Sequence, residues 1–439
     1  MKCIKFLVIS ACLFSASSSF AANDDLSLNI AQSLLEEGKP KDAYTFLLAG
    51  HEPDSKNPLE WRLMGIVAKA TGRPREAREY FNKVLELAPT NSSLHGETKL
   101  ELASIAYSLG DTKQAKAQLS EVKSTNPPAK VGDNIDEFIK HIDNKGAPKT
   151  WQITGSLGYL YDSNANAGPE TDSVLLFGLP FTLSDDAKET SDNALQLSLG
   201  FNHNKGLTDD ISWQNSFSIN WTDYRKLDNL DALVISGASG LSWRINDDWA
   251  ASVPLVVDWV RIGHDESYYS YSYGIAPQLR YSVNDKLSLK LATTYSKKKY
   301  QSSSDRDSDN YSVSPSLNYQ INPASYISFG LLAGKEASGI DYYTNDILGI
   351  NARYGHAFQN GLQASISASY TDKDYEGKEA AYTVARRDKN VRVGLDLSYK
   401  IKEIDSNLVF SVSHTNNDSN LPLYEYDRNQ ISLSLRKTF

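Results

Sequence analysis

From Trp151 to Phe439 apolar and polar residues alternate with a period of two. Leu195, Leu197, Leu199 and Phe201 are separated by Gln196, Ser198 and Gly200, and the same rhythm returns at 211–221, 287–295, 311–319 and 391–399. A strand puts successive side chains on opposite faces, so this period predicts strands with one oily and one wet face. About 14 such stretches fit, each near the ~9–11 residues that cross an outer membrane. They lie near 151–161, 192–203, 210–222, 231–243, 248–261, 270–282, 286–299, 310–320, 324–335, 342–355, 361–372, 387–400, 405–415 and 427–439. Short connections with turn chemistry (Asn246-Asp247, Asn284-Asp285, Asn322-Pro323, Asn360-Gly361, Glu403-Ile404-Asp405) alternate with long ones (162–191, 223–230, 262–269, 300–309, 373–386, 416–426). The oily parity never meets the pattern of a second sheet, which argues against a sandwich and for a transmembrane antiparallel barrel.

Residues 24–145 follow a helical period instead, at the spacing of a tetratricopeptide repeat. The fullest copy runs Trp61, Met64, Gly65, Ala77, Phe81, Val84, Pro89, with Gly72-Arg73-Pro74 as its turn. Small Gly65 and Ala77 let two helices approach closely, and Pro89 ends the second. A second copy is marked by Ala103, Gly110, Ala115, Leu119, Val122 and Pro127, and a degenerate first copy by Ala31, Gly38, Ala43 and Leu47. A last helix near 131–142 caps the stack. The fold class is therefore α+β and multidomain: an all-α repeat solenoid at 24–145, a linker at 146–150 and a barrel at 151–439.

The chain opens with Lys2 and Lys5 before an apolar run at 6–14, and Ser19-Phe20-Ala21 fits cleavage after Ala21, so 1–21 reads as a secretory signal peptide. A lipobox at Ile9-Ser-Ala-Cys12 is the rival reading. Both cysteines, Cys3 and Cys12, fall in this segment, which leaves no thiol for a disulfide or a metal. It closes on Ile431, Leu433, Leu435 and Phe439 on the apolar parity, with Lys437 interrupting it, as in the closing strand of an outer-membrane barrel. Mean hydropathy of −0.44 suits such a barrel, because half of each strand faces a wet lumen. The set of 25 Tyr, 14 Phe and 7 Trp suits interface girdles. A net charge of −9 argues against nucleic acid. With an even number of strands and short turns inward, the helical segment and Phe439 both belong in the periplasm, and the long loops outside.

Candidate chemistry is thin. The seven His are scattered, and no spacing suggests a metal or cofactor site. Gly263-His264-Asp265-Glu266-Ser267 lies in one loop, which does not supply the positioned nucleophile, base and orienter of a triad; no enzymatic activity is expected. Asp305, Asp307 and Asp309 resemble half a calcium loop, but Asn310 and Ser316 stand where an EF-hand has Gly and Glu. Lys297-Lys298-Lys299 at the outer rim is placed to meet lipopolysaccharide phosphates or serves solubility. Gln32, Arg62, Lys69 and Tyr107 are the candidate partner-binding residues of the repeat face. Asp258, Arg280, Lys290, Arg353, Arg392 and Asp396 are candidate lumen charges, paired across the interior or lining a pore.

A signal peptide, a short repeat array and a barrel of about 14 strands resemble the Slam family, the surface lipoprotein assembly modulators of type XI secretion. The strand 155–166, Gly-Ser-Leu-Gly-Tyr-Leu-Tyr-Asp-Ser-Asn-Ala-Asn, is similar to the family's barrel opening, where a Gly/Tyr-rich strand runs into Asp-x-Asn-x-Asn. The resemblance covers essentially the whole mature chain. It implies a monomeric outer-membrane translocator, inserted by the barrel-assembly machinery, that carries a lipoprotein or secreted protein client to the surface, often one involved in host interaction. An exopolysaccharide exporter of repeat-plus-barrel type is the main alternative, and a porin or host-adhesion barrel the third.

Overall fold

The computed structural model describes residues 24–51, 53–263 and 267–439, which divide into two compact units parting between Pro148 and Lys149. The predicted signal peptide with both cysteines, and His264-Asp265-Glu266, lie outside the described residues.

The first unit is seven helices: α1 Asp24–Glu36, α2 Pro40–Gly50, α3 Pro58–Ala70, α4 Pro74–Leu87, α5 Ser93–Ser108, α6 Thr112–Ser124 and α7 Ala129–Lys145. Proline begins α2, α3 and α4, where its missing N–H costs nothing. The turns inside the three pairs each use a glycine at positive φ (Gly38, Gly72, Gly110), a conformation that other residues adopt only with strain. Met64, Val67, Ala77, Phe81 and Val84 are fully buried between α3 and α4. A Cβ on Gly65 would stand 2.8 Å from the Phe81 ring, so the glycine is what lets α3 and α4 touch. Trp61 is buried and its Nε1 donates to Ser55 O at 2.9 Å.

The second unit is a closed antiparallel barrel of fourteen strands. These are β1 Trp151–Asp162, β2 Asp192–Gly206, β3 Ile211–Tyr224, β4 Ala232–Arg244, β5 Trp249–Ile262, β6 in two pieces (Ser270–Ile275 and Gln278–Ser282), β7 Leu287–Tyr300, β8 Ser308–Asn322, β9 Ser325–Ser338, β10 Asn345–Ala357, β11 Leu362–Tyr375, β12 Arg387–Ile401, β13 Ser406–Ser419 and β14 Tyr426–Thr438. Neighbours in sequence pair all the way round, and β14 returns to β1. The break in β6 at Ala276-Pro277, unforeseen in the continuous stretch 270–282, follows from the missing proline N–H. Ala276 N donates to Pro254 O (3.0 Å), and Pro277 O accepts from Thr293 N (2.9 Å), so the ladder resumes beyond it. Loop 163–191 also holds a small hairpin, Ser173–Leu176 with Leu179–Thr182, where the sequence pattern showed only a connection.

At one end the strands are joined by turns of two to four residues. Their asparagines do the work the sequence suggested: Asn246 and Asn284 each accept from two backbone N–H groups, and Asn322 and Asn360 from one. The long loops share the other end. The apolar rows face away from the barrel axis, with Leu157, Leu255 and Leu348 each more than 60% exposed. An apolar belt of that extent is unfavourable in water and suits hydrocarbon.

Candidate functional site

The barrel interior is the candidate site, and the curvature of the sheet identifies which side chains face it. Side chains from strands separated by a third can meet only on the concave face. Arg353 on β10 reaches Asp396 on β12 across β11, with Nη2 2.7 Å from Oδ2. Ser365 Oγ and Ser411 Oγ also donate to that carboxylate, at 3.3 and 2.7 Å. Tyr224 on β3 likewise reaches Asp162 on β1 across β2. The wet parity is therefore the lumen wall.

The six lumen charges fall on this wall with different fates. Arg353 and Asp396 form the ion pair just described. Asp258 is held by Ser236 Oγ (2.6 Å) and Ser272 Oγ (3.1 Å), and Arg392 donates to Ser413 Oγ (3.1 Å). Arg280 and Lys290 are register partners on β6 and β7, two cations side by side with no ion pair among the described residues. Like charges so placed repel, which leaves this part of the wall with two adjacent positive charges.

The closing strand puts Leu435, Leu433 and Ile431 beside Leu157, Tyr159 and Tyr161 of β1 on the outer face. Phe439 N donates to Ile153 O at 2.8 Å, so the ladder runs to the last residue. Lys437, the break in the apolar parity, extends to Ile404 O (3.1 Å) and lies 5.5 Å from the Phe439 ring centroid. Its stem stays in the apolar row while its charge leaves it.

The loop end of the same seam is tied by Asp162-Ser163-Asn164-Ala165-Asn166. Asp162 is fully buried. It accepts from Arg428 Nε (2.9 Å) and Nη2 (2.5 Å) of β14, and from Gln430 Nε2 (2.8 Å). Asn164 Nδ2 donates to Gly168 O and to Asp427 O, and Asn166 Nδ2 to Asp186 O and Lys188 O. A short polar sequence thus fastens β1, β14 and the root of loop 163–191 in one knot. The sequence shows the Asp-x-Asn-x-Asn segment but not this role, because the Arg428 partner lies 266 residues away.

In the helical unit Arg62 Nη2 pairs with Glu97 (2.8 Å), and Lys69 Nζ with Glu101 (2.6 Å) and Ser104 (3.1 Å), which stitches α3 to α5. Tyr107 meets His141 (3.1 Å) and packs edge-on against Phe138. Gln32 bonds to Glu36 on its own helix. Three of the four residues of the predicted face are therefore engaged in interhelical pairs, and Gln32 in a pair within its helix. At the long-loop rim Lys297 pairs with Asp309 and Lys299 with Asp307, while Lys298 lies over the Tyr300 ring. The two lysines and two of the three carboxylates of the half calcium loop thus satisfy each other. Asp307 illustrates the balance: burial alone would raise its carboxyl, but Lys299 and the Tyr300 N–H outweigh that and hold it below the usual carboxylate range. Among the described residues no cluster of His, Cys, Asp and Glu could hold a metal ion.

The family model described as surface lipoprotein assembly modifier matches residues 151–439, and the tetratricopeptide repeat model matches 58–91. A surface lipoprotein assembly modifier of Pasteurella multocida is 22% identical over 417 residues, covering 90% of this chain and 79% of that protein. Surface lipoprotein assembly modifier 1 of Haemophilus influenzae is 22% identical over 420 residues, covering 91% and 82%. Among solved structures, a Pseudomonas aeruginosa FadL homologue is 8% identical, covers 66% of this chain and 90% of that one, and superposes with a TM-score of 0.39, too low to bear on architecture or function. The match across the entire barrel, with two relatives aligned over most of the chain, places it plainly: the chain belongs to the surface lipoprotein assembly modifier family.

Proposed function

We propose that this protein is an outer-membrane translocator that delivers a lipoprotein to the cell surface. The observation that carries the reading is the family match across the whole of 151–439, a closed barrel with an apolar outer belt and a polar wall. Signal peptide 1–21 would take the chain across the inner membrane, and the barrel-assembly machinery would insert it. With fourteen strands, both ends of the barrel chain lie at the short-turn end, which in such barrels is periplasmic. The helical unit 24–145 then stands in the periplasm and receives the client, with Gln32, Arg62, Lys69 and Tyr107 on its face. The long loops emerge outside, where lipopolysaccharide surrounds them.

Surface proteolysis tests this. The full chain is expressed in a Gram-negative cell with each lipoprotein encoded beside its gene, and protease is added to intact cells. Barrel-dependent cleavage of one lipoprotein is the expected result. A barrel that folds and exposes its own loops while every lipoprotein stays protected would overturn the proposal, and an exported polysaccharide in its place would favour the sugar exporter.

A further inference from the structure

At the short-turn end the lumen wall is recessed into a cavity of about 510 Å³ on β1 to β6. Two features describe it. The first is its chemistry. Gln152, Asn202, Asn204, Gln214 and Gln278 all line it, and none of their side-chain amides makes an intramolecular hydrogen bond among the described residues. The only charged residue in the lining is Lys149, whose Nζ lies 4.6 Å from the centre of the Trp151 ring. The second is its shape. Ala238 and Gly240 keep the wall low behind the amides, and a Cβ on Gly240 would stand 2.4 Å from Val253 O.

We infer that this recess is a docking shelf for an extended, uncharged stretch of polypeptide main chain, at the point where a client enters the barrel. The inference rests on the translocator reading above. A carboxamide offers two donors and an acceptor on one planar group, and each peptide unit presents one N–H and one C=O. A row of amides therefore matches a passing backbone whatever its side chains, and holds it by neutral bonds weak enough to release. A neutral sugar would also bond to amides, but it gains much of its affinity from aromatic faces. The lining has one large aromatic, Trp151, on the outer parity and already covered by Lys149. The shelf therefore fits a backbone better than a saccharide.

The test uses the full chain in lipid nanodiscs with a benzophenone on Ser216→Cys at the shelf or on Ser367→Cys of β11, beside Arg353 on the opposite wall, in a background without Cys3 and Cys12. The probe is a fluorescent twelve-residue peptide of Gly, Ser and Asn, uncharged so that Arg280 and Lys290 do not hold it. Cross-linking at Ser216→Cys and not at Ser367→Cys is expected. Asn202→Leu with Gln214→Leu and Gln278→Leu should cut the yield about tenfold. Gln214→Asn, which keeps the amide, should retain it in a barrel that still migrates as folded on unboiled gels. Equal labelling of both walls, an unchanged yield in the triple variant, or competition by maltohexaose as effective as by unlabelled peptide would each overturn the shelf. Surface display of the lipoprotein in cells separates the two proposals. Normal display by the triple variant, with labelling lost, removes the shelf from export and leaves the translocator standing. No display even by the unaltered chain removes the translocator.

Discussion

The most consequential residue is Asp162, a carboxylate with no exposed surface, held by three charge-assisted or polar donors from β14. Removing one partner of a buried pair leaves the other charge uncompensated, which costs roughly 3–5 kcal/mol, whereas replacing both by apolar groups costs far less. Arg428→Ala should therefore lower the temperature at which the folded barrel band disappears on unboiled gels, and Asp162→Leu with Arg428→Met should recover most of the loss. Equal losses in the two variants would show that the seam is held elsewhere. None of this was legible in the sequence, because barrel closure alone brings residue 162 to residue 428. Asp307 allows a pH prediction. Its carboxyl is depressed in the folded loop, chiefly by Lys299 and the Tyr300 N–H working against burial. A depressed acid stabilises above its unfolded value, near 4, and the contribution fades as pH falls through the lower folded value. Relative to an unstructured peptide of the same sequence, which cancels pepsin's own loss of activity as pH rises, loop 301–307 should be cleaved faster at pH 3 than at pH 5. Asp307→Asn should be cleaved at both.

Elements were easier to read than residues. Period two located all fourteen crossings, and the asparagines of the short turns were visible as turn formers because their bonds are local. The break in β6 escaped for a physical reason: Tyr273 and Ile275 before it and Leu279 and Tyr281 after it stay on one parity, so the alternation passes through unmarked. The helical repeat was legible because its signal is steric. Gly65 is small where Phe81 is large, and a Cβ there would meet the ring at 2.8 Å. Gly65→Val should destabilise the α3–α4 pair by about 1–3 kcal/mol through overpacking, read as an earlier loss of helical circular dichroism while the strand signal holds. Adding Phe81→Leu should restore part of the lost stability. If Gly65→Val melts like the parent, the helices do not meet as tightly as the ring contact implies. What the repeat spacing could not reveal was the use of its polar face. Arg62 and Lys69 were singled out as partner-binding, and both bond to α5. Such half-exposed pairs contribute only about 1 kcal/mol each, so a client carboxylate could displace Glu97 or Glu101 at little expense.

For the whole molecule, the switch from a helical period to a period of two near residue 150 disclosed the architecture, since each period buries its apolar residues in a different way. The helical unit closes its core among its own residues, from Ala31 to Ile142. The barrel closes its hydrogen-bond ladder on itself from β1 to β14. Neither unit needs the other for its core, so the join is a matter of function. A barrel lacking 24–145, secreted on its own signal, should insert and keep its heat resistance on gels, because every strand retains both neighbours. It should nonetheless fail to bring the lipoprotein to the surface, since it has lost the element proposed to receive the client. Surface protease digestion and the gel assay on the same cells read the two properties separately. Undiminished display by the truncated chain would move the receiving role from the repeat face to the barrel mouth, where the amide shelf stands. Loss of insertion and display together would instead mean that the helical unit serves assembly of the barrel.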